Sequence, residues 1–330
     1  MSLSTTALHG LHEELGGRLV DFAGWELPVQ FTGIIAEHQH TRKSVSLFDV
    51  SHMGQVLIRP ESGNLADAAA ALETLIPASV AGLKEGRQRY GLFTDENGGV
   101  LDDLMFANHG DHYFLVVNAA RSDHDLGLLR TLERVTVEHI TDRSLLALQG
   151  PRAEEALGGL VPKATGLKFM DSQILDWDGI QVWISRSGYT GEDGFELYGN
   201  HDFIIECWDK LIAAGIQPCG LGCRDTLRFE VGLPLYGDEL SPEISPVMSG
   251  LSMFVKLDKE EFIGKEACAK QKAEGVEKKV VGIELASRAI PRHGYEVEKD
   301  GKVVGEITTG YRSISTGKSI CMALVDISAA

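Results

Sequence analysis

The sequence predicts an α+β protein that closes in an all-β domain. Its 330 residues exceed what a single hydrophobic core usually organises, about 250, so two or three domains are expected. Runs of alternating apolar residues give way twice to helical spacing before residue 275, the pattern of α+β units. Beyond 275, KKVVGIELASRAIPRHGYEVEKDGKVVGEITTGYRS carries short strands punctuated by glycine.

The elements follow in order. A helix opens the chain, DFAGWELP is turn-rich, and a second helix is expected over 34–46. FDVSHMGQVLI alternates and reads as a strand, and NLADAAAALETLI reads as a helix. QRYGLFTD, GVLDDLMFA and HYFLVVN read as three strands. The first two join at Glu96-Asn97-Gly98-Gly99, because Asn-Gly tolerates the positive φ of a tight hairpin. A helix is expected over 119–132, strand and turn in SLLALQGP, and a helix in AEEALGGLV. QILDWDGIQVWISRSGYTGEDGFELYG holds three short strands and a Gly-rich connection. DFIIECWDKLIAAG has apolar residues at helical spacing, and a further helix follows at GLGCRDTLRFEVG.

Composition narrows the functional classes. With 43% hydrophobic and 24% charged residues, the chain has the make-up of a water-soluble globular protein. No apolar run approaches the ~18 residues of a membrane helix. A net charge of −17 disfavours sequence-independent nucleic-acid binding, which depends on neutralising phosphates. Five cysteines, an odd number, and no signal-peptide pattern at the N-terminus point to a reducing cytoplasm. Cys219 and Cys223 have no second Cys/His pair nearby and read as buried small residues, not a metal site.

Three segments hold candidate chemistry. Asp102-Asp103 follows the Gly98-Gly99 turn, and acids are depleted inside β-runs. Neighbouring side chains on a strand point to opposite faces, so the two are not expected to share one pocket. The pair marks either a working carboxylate or a solvated strand end. In SGYTGEDGFEL, Gly188, Gly191 and Gly194 allow close backbone approach to a ligand, and Glu196 offers a carboxylate to a paired N–H edge such as a pterin's. The bland alternative is an exposed hairpin. Arg224, opening the helix after Gly220, suits a carboxylate clamp or a surface ion pair. Asp49, Ser51 and His52 lie too close on one extended segment to form a hydrolase triad, and no G-x-S-x-G elbow is present. Glu37, His38 and His40 share no clean helix face and read as solvated.

Taken in order, VDFAGWELPVQF, FDVSHMG, RYGLFTDENGGVLDDL, VVNAA, LALQGP, SRSGYTGEDGFEL, CGLGCRDTLRFEVGLPLYG, FVKLDKEEFIGKEA and VGEITTG resemble the aminomethyltransferase (T-protein) family of the glycine cleavage system. The resemblance spans nearly the whole chain. It implies a three-domain cloverleaf around a central folate channel: 1–55 with 140–230, 56–139 with 231–274, and a C-terminal β-barrel-like domain over 275–330. It implies transfer of the methylene carbon of an aminomethyl group from the lipoyl arm of H-protein to tetrahydrofolate, with no metal and no flavin. Asp103 matches the family's essential carboxylate, Glu196 its pterin-binding acid, and Arg224 the arginine beside the folate. Met53, Tyr90, Asn118 and Tyr189 fall on pocket-lining segments, and Phe169 matches an aromatic wall.

The chain departs from the family pattern at several points. Ser46 stands for a glycine, Met253 for a tryptophan that stacks on the aminobenzoyl ring, and Ser313-Ile-Ser-Thr316 for S-P-T-L. The chain ends at Ala330, where relatives continue into further strands, so exposed sheet edges are expected. Two alternatives share the fold. A folate-dependent amine demethylase often carries a fused flavin domain, and no dinucleotide fingerprint occurs here. A non-catalytic folate-binding protein of the iron–sulfur maintenance type carries a reactive cysteine, absent from 235–240.

Overall fold

The computed structural model describes residues 2–177 and 179–330. Two sheets face each other at its centre. The first has six strands, in the order Ser172–Trp177, Ile180–Ser185, Gly194–Asn200, Arg143–Gln149, Ser46–Asp49 and Gln217–Pro218. The second has five: Arg87–Thr94, Val100–Asn108, Tyr113–Val117, Gly54–Pro60 and Val135–Ile140.

The two-residue period of these strands divides the core. Leu146 and Leu148 point outward to a helix layer, while Leu145 and Ala147 point inward. On the second sheet, Val56 and Ile58 face outward and Leu57 inward. The inner layer joins both sheets through Phe48, Leu57, Phe114, Leu145, Trp183 and Tyr198. Phe114 makes edge contacts with both Trp183 and Tyr198, with ring centroids at 4.9 and 5.1 Å.

The outer helices form where caps and spacing agree. Asn200 accepts a hydrogen bond from Phe203 N (2.8 Å) and starts the helix His201–Ala213. Phe203, Ile204, Cys207, Trp208 and Leu211 follow at i, i+1, i+4, i+5 and i+8 and bury against the first sheet. Each large side chain so buried is worth about 1.5–3 kcal/mol. Asn64 caps Leu65–Leu75 in the same way, and this helix covers the second sheet.

Several elements differ from the sequence reading. DFAGWELP is a β-hairpin, Arg18–Phe22 paired with Trp25–Gln30. The second helix stops at Lys43. FDVSHMGQVLI splits into Ser46–Asp49 and Gly54–Pro60, which belong to different sheets. The break is a turn in which Met53 N donates to Val50 O (3.1 Å) and Ser51 N to Asp49 Oδ1 (2.9 Å). The helix expected over 119–132 is a 3-10 turn, Ala119–Arg121, followed by Ser122–Leu129. In the hairpin at 95–99 only Gly98 has positive φ, and Asp95 Oδ1 holds the turn by accepting from Asn97 N and Gly99 N.

The C-terminal strands form a four-stranded antiparallel sheet: Lys278–Glu284, Ser319–Asp326, Lys302–Arg312 and Glu296–Lys299. Its own core is small, built on Ile307, Cys321, Ala323 and Val325. Polar side chains fasten it to the rest. Thr308 and Thr309 donate to Glu239 Oε1, both at 2.6 Å, and Arg228 donates to Glu239 Oε2 at 2.9 Å. Ser313 donates to Glu230 (2.7 Å), and Tyr311 to Asp225. Among the described residues, no helix is long and apolar enough to cross a membrane.

Candidate active site

The strand Val100–Asn108 carries Asp102 on its outer face and Asp103 on its inner face, as alternation requires. Yet one side chain reaches both. Asn118, just past Tyr113–Val117, donates through Nδ2 to Asp102 Oδ1 (2.9 Å) and Asp103 Oδ1 (2.8 Å). Tyr90, across the hairpin, donates its hydroxyl to Asp103 Oδ2 (3.0 Å). Burial first, and then the neighbouring acid Asp102, lift the Asp103 pKa to about 7, against the pull of Tyr90 and Asn118. A carboxyl near 7 exchanges a proton readily at neutral pH.

Tyr189 stands between this acid and the far side of the site. Its hydroxyl donates to Pro234 O, and the Arg224 guanidinium lies 4.9 Å from its ring centroid. Burial raises its pKa, and it feels the charges of both Asp103 and Arg224. Arg224 opens the helix Leu221–Glu230, is lowered by burial and raised by Glu196, and has a buried Nη1 with no partner among the described residues. Glu196 receives Ser187 Oγ (2.6 Å) and Tyr198 OH (3.2 Å) on Oε2 alone. Oε1 accepts no hydrogen bond from any described residue. Asp103, Tyr90, Asn118, Tyr189, Arg224 and Glu196 therefore form one electrostatically linked wall.

Met53 packs at the margin of the inner core. Phe169 is 67% exposed on a turn whose next residue accepts a hydrogen bond from Gln88 N (2.9 Å). No ring contact joins it to the other aromatic residues described. Met253 is 71% exposed, and its neighbour Phe254 packs edge-on to Tyr90 at 5.0 Å.

Sequence reasoning weighed His52 only as part of a rejected triad; it is 6% exposed, feels the Arg224 charge, and has a pKa lowered by burial to about 4. That reasoning passed over Asp125. Its only signal was an acid seven residues beyond Asn118 on a helix start. The Gly-rich segment answers to a cause inside the protein. A Cβ on Gly188 would lie 1.8 Å from Gln149 Oε1, and one on Gly194 2.3 Å from Gln149 Nε2. The glycines admit the buried Gln149 side chain, which donates to Ser187 O (2.9 Å) and accepts from Thr190 (2.8 Å).

Other constellations are structural. Asp49 binds His12 (2.8 Å) and Thr6 (2.6 Å), and Ser51 exchanges hydrogen bonds with Leu145. Glu37, Cys219 and Cys223 cluster closely enough to suggest a metal site. The Glu37 oxygens, however, already accept the backbone N–H groups of Phe31, Thr32, Gly33 and Gly220. His38 and His40 bind Thr226 (2.9 Å) and Val45 O (3.1 Å).

Comparisons with known proteins agree along the chain. A family model for the GCVT N-terminal domain matches residues 8–259, and one for the glycine cleavage T-protein C-terminal barrel domain matches 278–330. The aminomethyltransferase of Thermoanaerobacter pseudethanolicus is 44% identical over 98% of this chain and 90% of its own. That of Bacillus subtilis is 44% identical over 98% and 91%. The crystal structure of glycine cleavage system aminomethyltransferase T from Bartonella henselae superposes with a TM-score of 0.92 at 31% identity, covering 99% of this chain and 91% of that one. With both family models matched in order and aminomethyltransferases similar over nearly its full length, the chain belongs to the glycine cleavage T-protein family and is an enzyme of the aminomethyltransferase class.

Proposed function

We propose that this enzyme moves the methylene carbon of an aminomethyl group from the lipoyl sulfur of H-protein to tetrahydrofolate. In the balanced reaction the carbon gains bonds to two folate nitrogens and loses its bonds to sulfur and to the amine. The two folate N–H protons leave with ammonia and the dihydrolipoyl thiol. The observation that carries the reading is Asp103, a carboxyl lifted to about 7 and held by Tyr90 and Asn118. Such a group accepts a folate proton near neutral pH and offsets positive charge on the carbon as it develops.

The free Oε1 of Glu196 suits the N–H edge of the pterin, and the unpartnered Nη1 of Arg224 suits an oxygen of the folate. Tyr189, Met53 and Phe169 are proposed to line the channel. Most of the rate gain is assigned to holding two substrates together. Sheet membership supports separating 1–55 with 140–230 from 56–139 and setting 275–330 apart, and hydrogen bonds from Lys256 N to Pro77 O and Ile263 N to Thr74 O support grouping 231–274 with 56–139. A coupled assay with aminomethylated H-protein and tetrahydrofolate tests the proposal. Ammonia release that depends on both substrates is expected. Release without tetrahydrofolate, or none at all, overturns it.

A further inference from the structure

Behind Asp103 lies a second acidic group to which no Lys or Arg is bonded among the described residues. Asp102 and Asp125 are both fully buried, and their carboxyls lie within hydrogen-bond reach of each other. Two ionised carboxylates at that separation repel, so the pair needs a proton. A second observation places it. Asp125 Oδ2 is buried without any N–H or hydroxyl donor among the described residues, whereas Oδ1 has His124 Nδ1 at 3.0 Å. Asp102 faces Asn118 N (3.3 Å) and Nδ2 (2.9 Å), both donors, so it presents acceptor lone pairs to Asn118. A proton on Asp102 directed at Asp125 satisfies every one of these atoms.

We infer that Asp102 acts as a positioning residue: a neutral carboxylic acid that donates to Asp125, accepts from Asn118, and so holds the Asn118 amide against Asp103. The inference rests on the assignment of Asp103 as the working base. The charges support it. Burial and then Asp125 raise Asp102 to about 8, while Asp125, raised by burial to about 6, is the better anion. The other groups facing the pair are Asp103 on the same strand, Tyr90 on the adjacent strand, Arg121 and His124 beside Asp125, and Tyr236 from the segment after Leu235. Arg121 is directed elsewhere: it donates to Leu101 O (3.1 Å) and lies over the Tyr236 ring at 5.2 Å. Neutrality matters because an ionised Asp102 would share Asn118 Nδ2 with Asp103 as a competing anion.

The pH dependence of single-turnover ammonia release tests this in the full-length enzyme. Asparagine mimics a neutral acid, so Asp102→Asn keeps most of the plateau rate and leaves the acidic limb in place. Asp125→Asn removes the proton acceptor, leaves Asp102 as the anion next to Asp103, and moves the limb to higher pH. Asp102→Ala frees Asn118 and lowers kcat about 10²-fold with an unchanged KM for tetrahydrofolate. Loss of turnover in Asp102→Asn as severe as in Asp103→Asn, an acidic limb that Asp102→Asn moves to lower pH, or one that Asp125→Asn leaves in place, overturns the inference. A readout independent of turnover is the infrared carbonyl band of a protonated carboxyl at pH 7 in the Asp103→Asn background. The band is expected, and expected to vanish when Asp102→Asn is added; its absence before that addition also overturns the inference. No turnover by the parent enzyme would sink the transfer reading alone, because the infrared result stands apart from it.

Discussion

Carboxylates at the inner wall and at the seam with the C-terminal sheet are the same chemical group in opposite conditions. Asp103 has two side-chain donors and a second buried acid beside it, and burial above all lifts its pKa to about 7. Glu230 at the seam is partly buried, which alone would raise it. There, hydrogen bonds from His38, Ser315 and Ser313 pull its pKa well below the usual carboxylate range. Glu239 likewise accepts from Arg228, Leu235 N, Thr308 and Thr309. Donor supply decides the outcome. A saturated carboxylate is a fastener, and an under-supplied one stays available for protons and ligands.

The sharpest way to break this contrast is at Asp103. Asp103→Asn is expected to lower turnover about 10²–10⁴-fold while calorimetry still shows tetrahydrofolate binding. Near-parental methylenetetrahydrofolate production would remove the acid from the chemistry. The seam should respond in stability. Arg228→Met leaves Glu239 buried without its cation and should cost about 3–5 kcal/mol in urea unfolding. A loss under ~1 kcal/mol would mean the seam is held by other contacts. Glu196→Gln belongs to the under-supplied class and should weaken tetrahydrofolate binding by about 1.5–3 kcal/mol with little effect on melting temperature. Unchanged affinity would detach Glu196 from the ligand.

Titration should separate the two regions by sign. The folded pKa of Asp103 lies above its unfolded value, ~3.9. Its contribution to stability is therefore complete in acid and is lost as pH rises through about 7. Glu230 is depressed below ~4.3, so its contribution is present above that range and is lost as pH falls toward the depressed value. Melting curves should show Asp103→Asn gaining on the parent between pH 5 and 8. Glu230→Gln should lose most above pH 5 and converge with the parent in acid. The same direction for both variants would defeat the contrast. The smallest effect is expected at Glu37, Cys219 and Cys223, where chelator treatment should leave the melting temperature unchanged, since backbone N–H groups already occupy the carboxylate. A fall on chelation would show a bound ion.

What could be read in the sequence depended on how local its cause was. The helix His201–Ala213 and the strands either side of Gly98 were legible because caps, spacing and turn chemistry act over a few residues. The split of FDVSHMGQVLI was not, because alternation continues through Val50–Met53 while the two halves pair in different sheets. Strand Val135–Ile140 was missed; its middle carries Thr136, Glu138 and His139, and only its two ends are buried. At the site, the acids and the arginine stood out by residue type. Asn118 bridging two faces of one strand, and Asp125 behind it, arise from tertiary placement that no spacing rule encodes.

The Gln149 side chain threaded through the loop before Glu196 makes that loop and its neighbouring strand a single heritable unit. Shortening Gln149 would open room for a side chain at 188, but not at 194, where the Leu148 carbonyl also stands 2.7 Å from a Cβ. Drift at 188 must therefore pass through a prior change at 149, whereas 194 has no such route. A library that randomises these positions one at a time will register both glycines as untouchable; only a paired library will reveal that one of them is merely waiting for its partner.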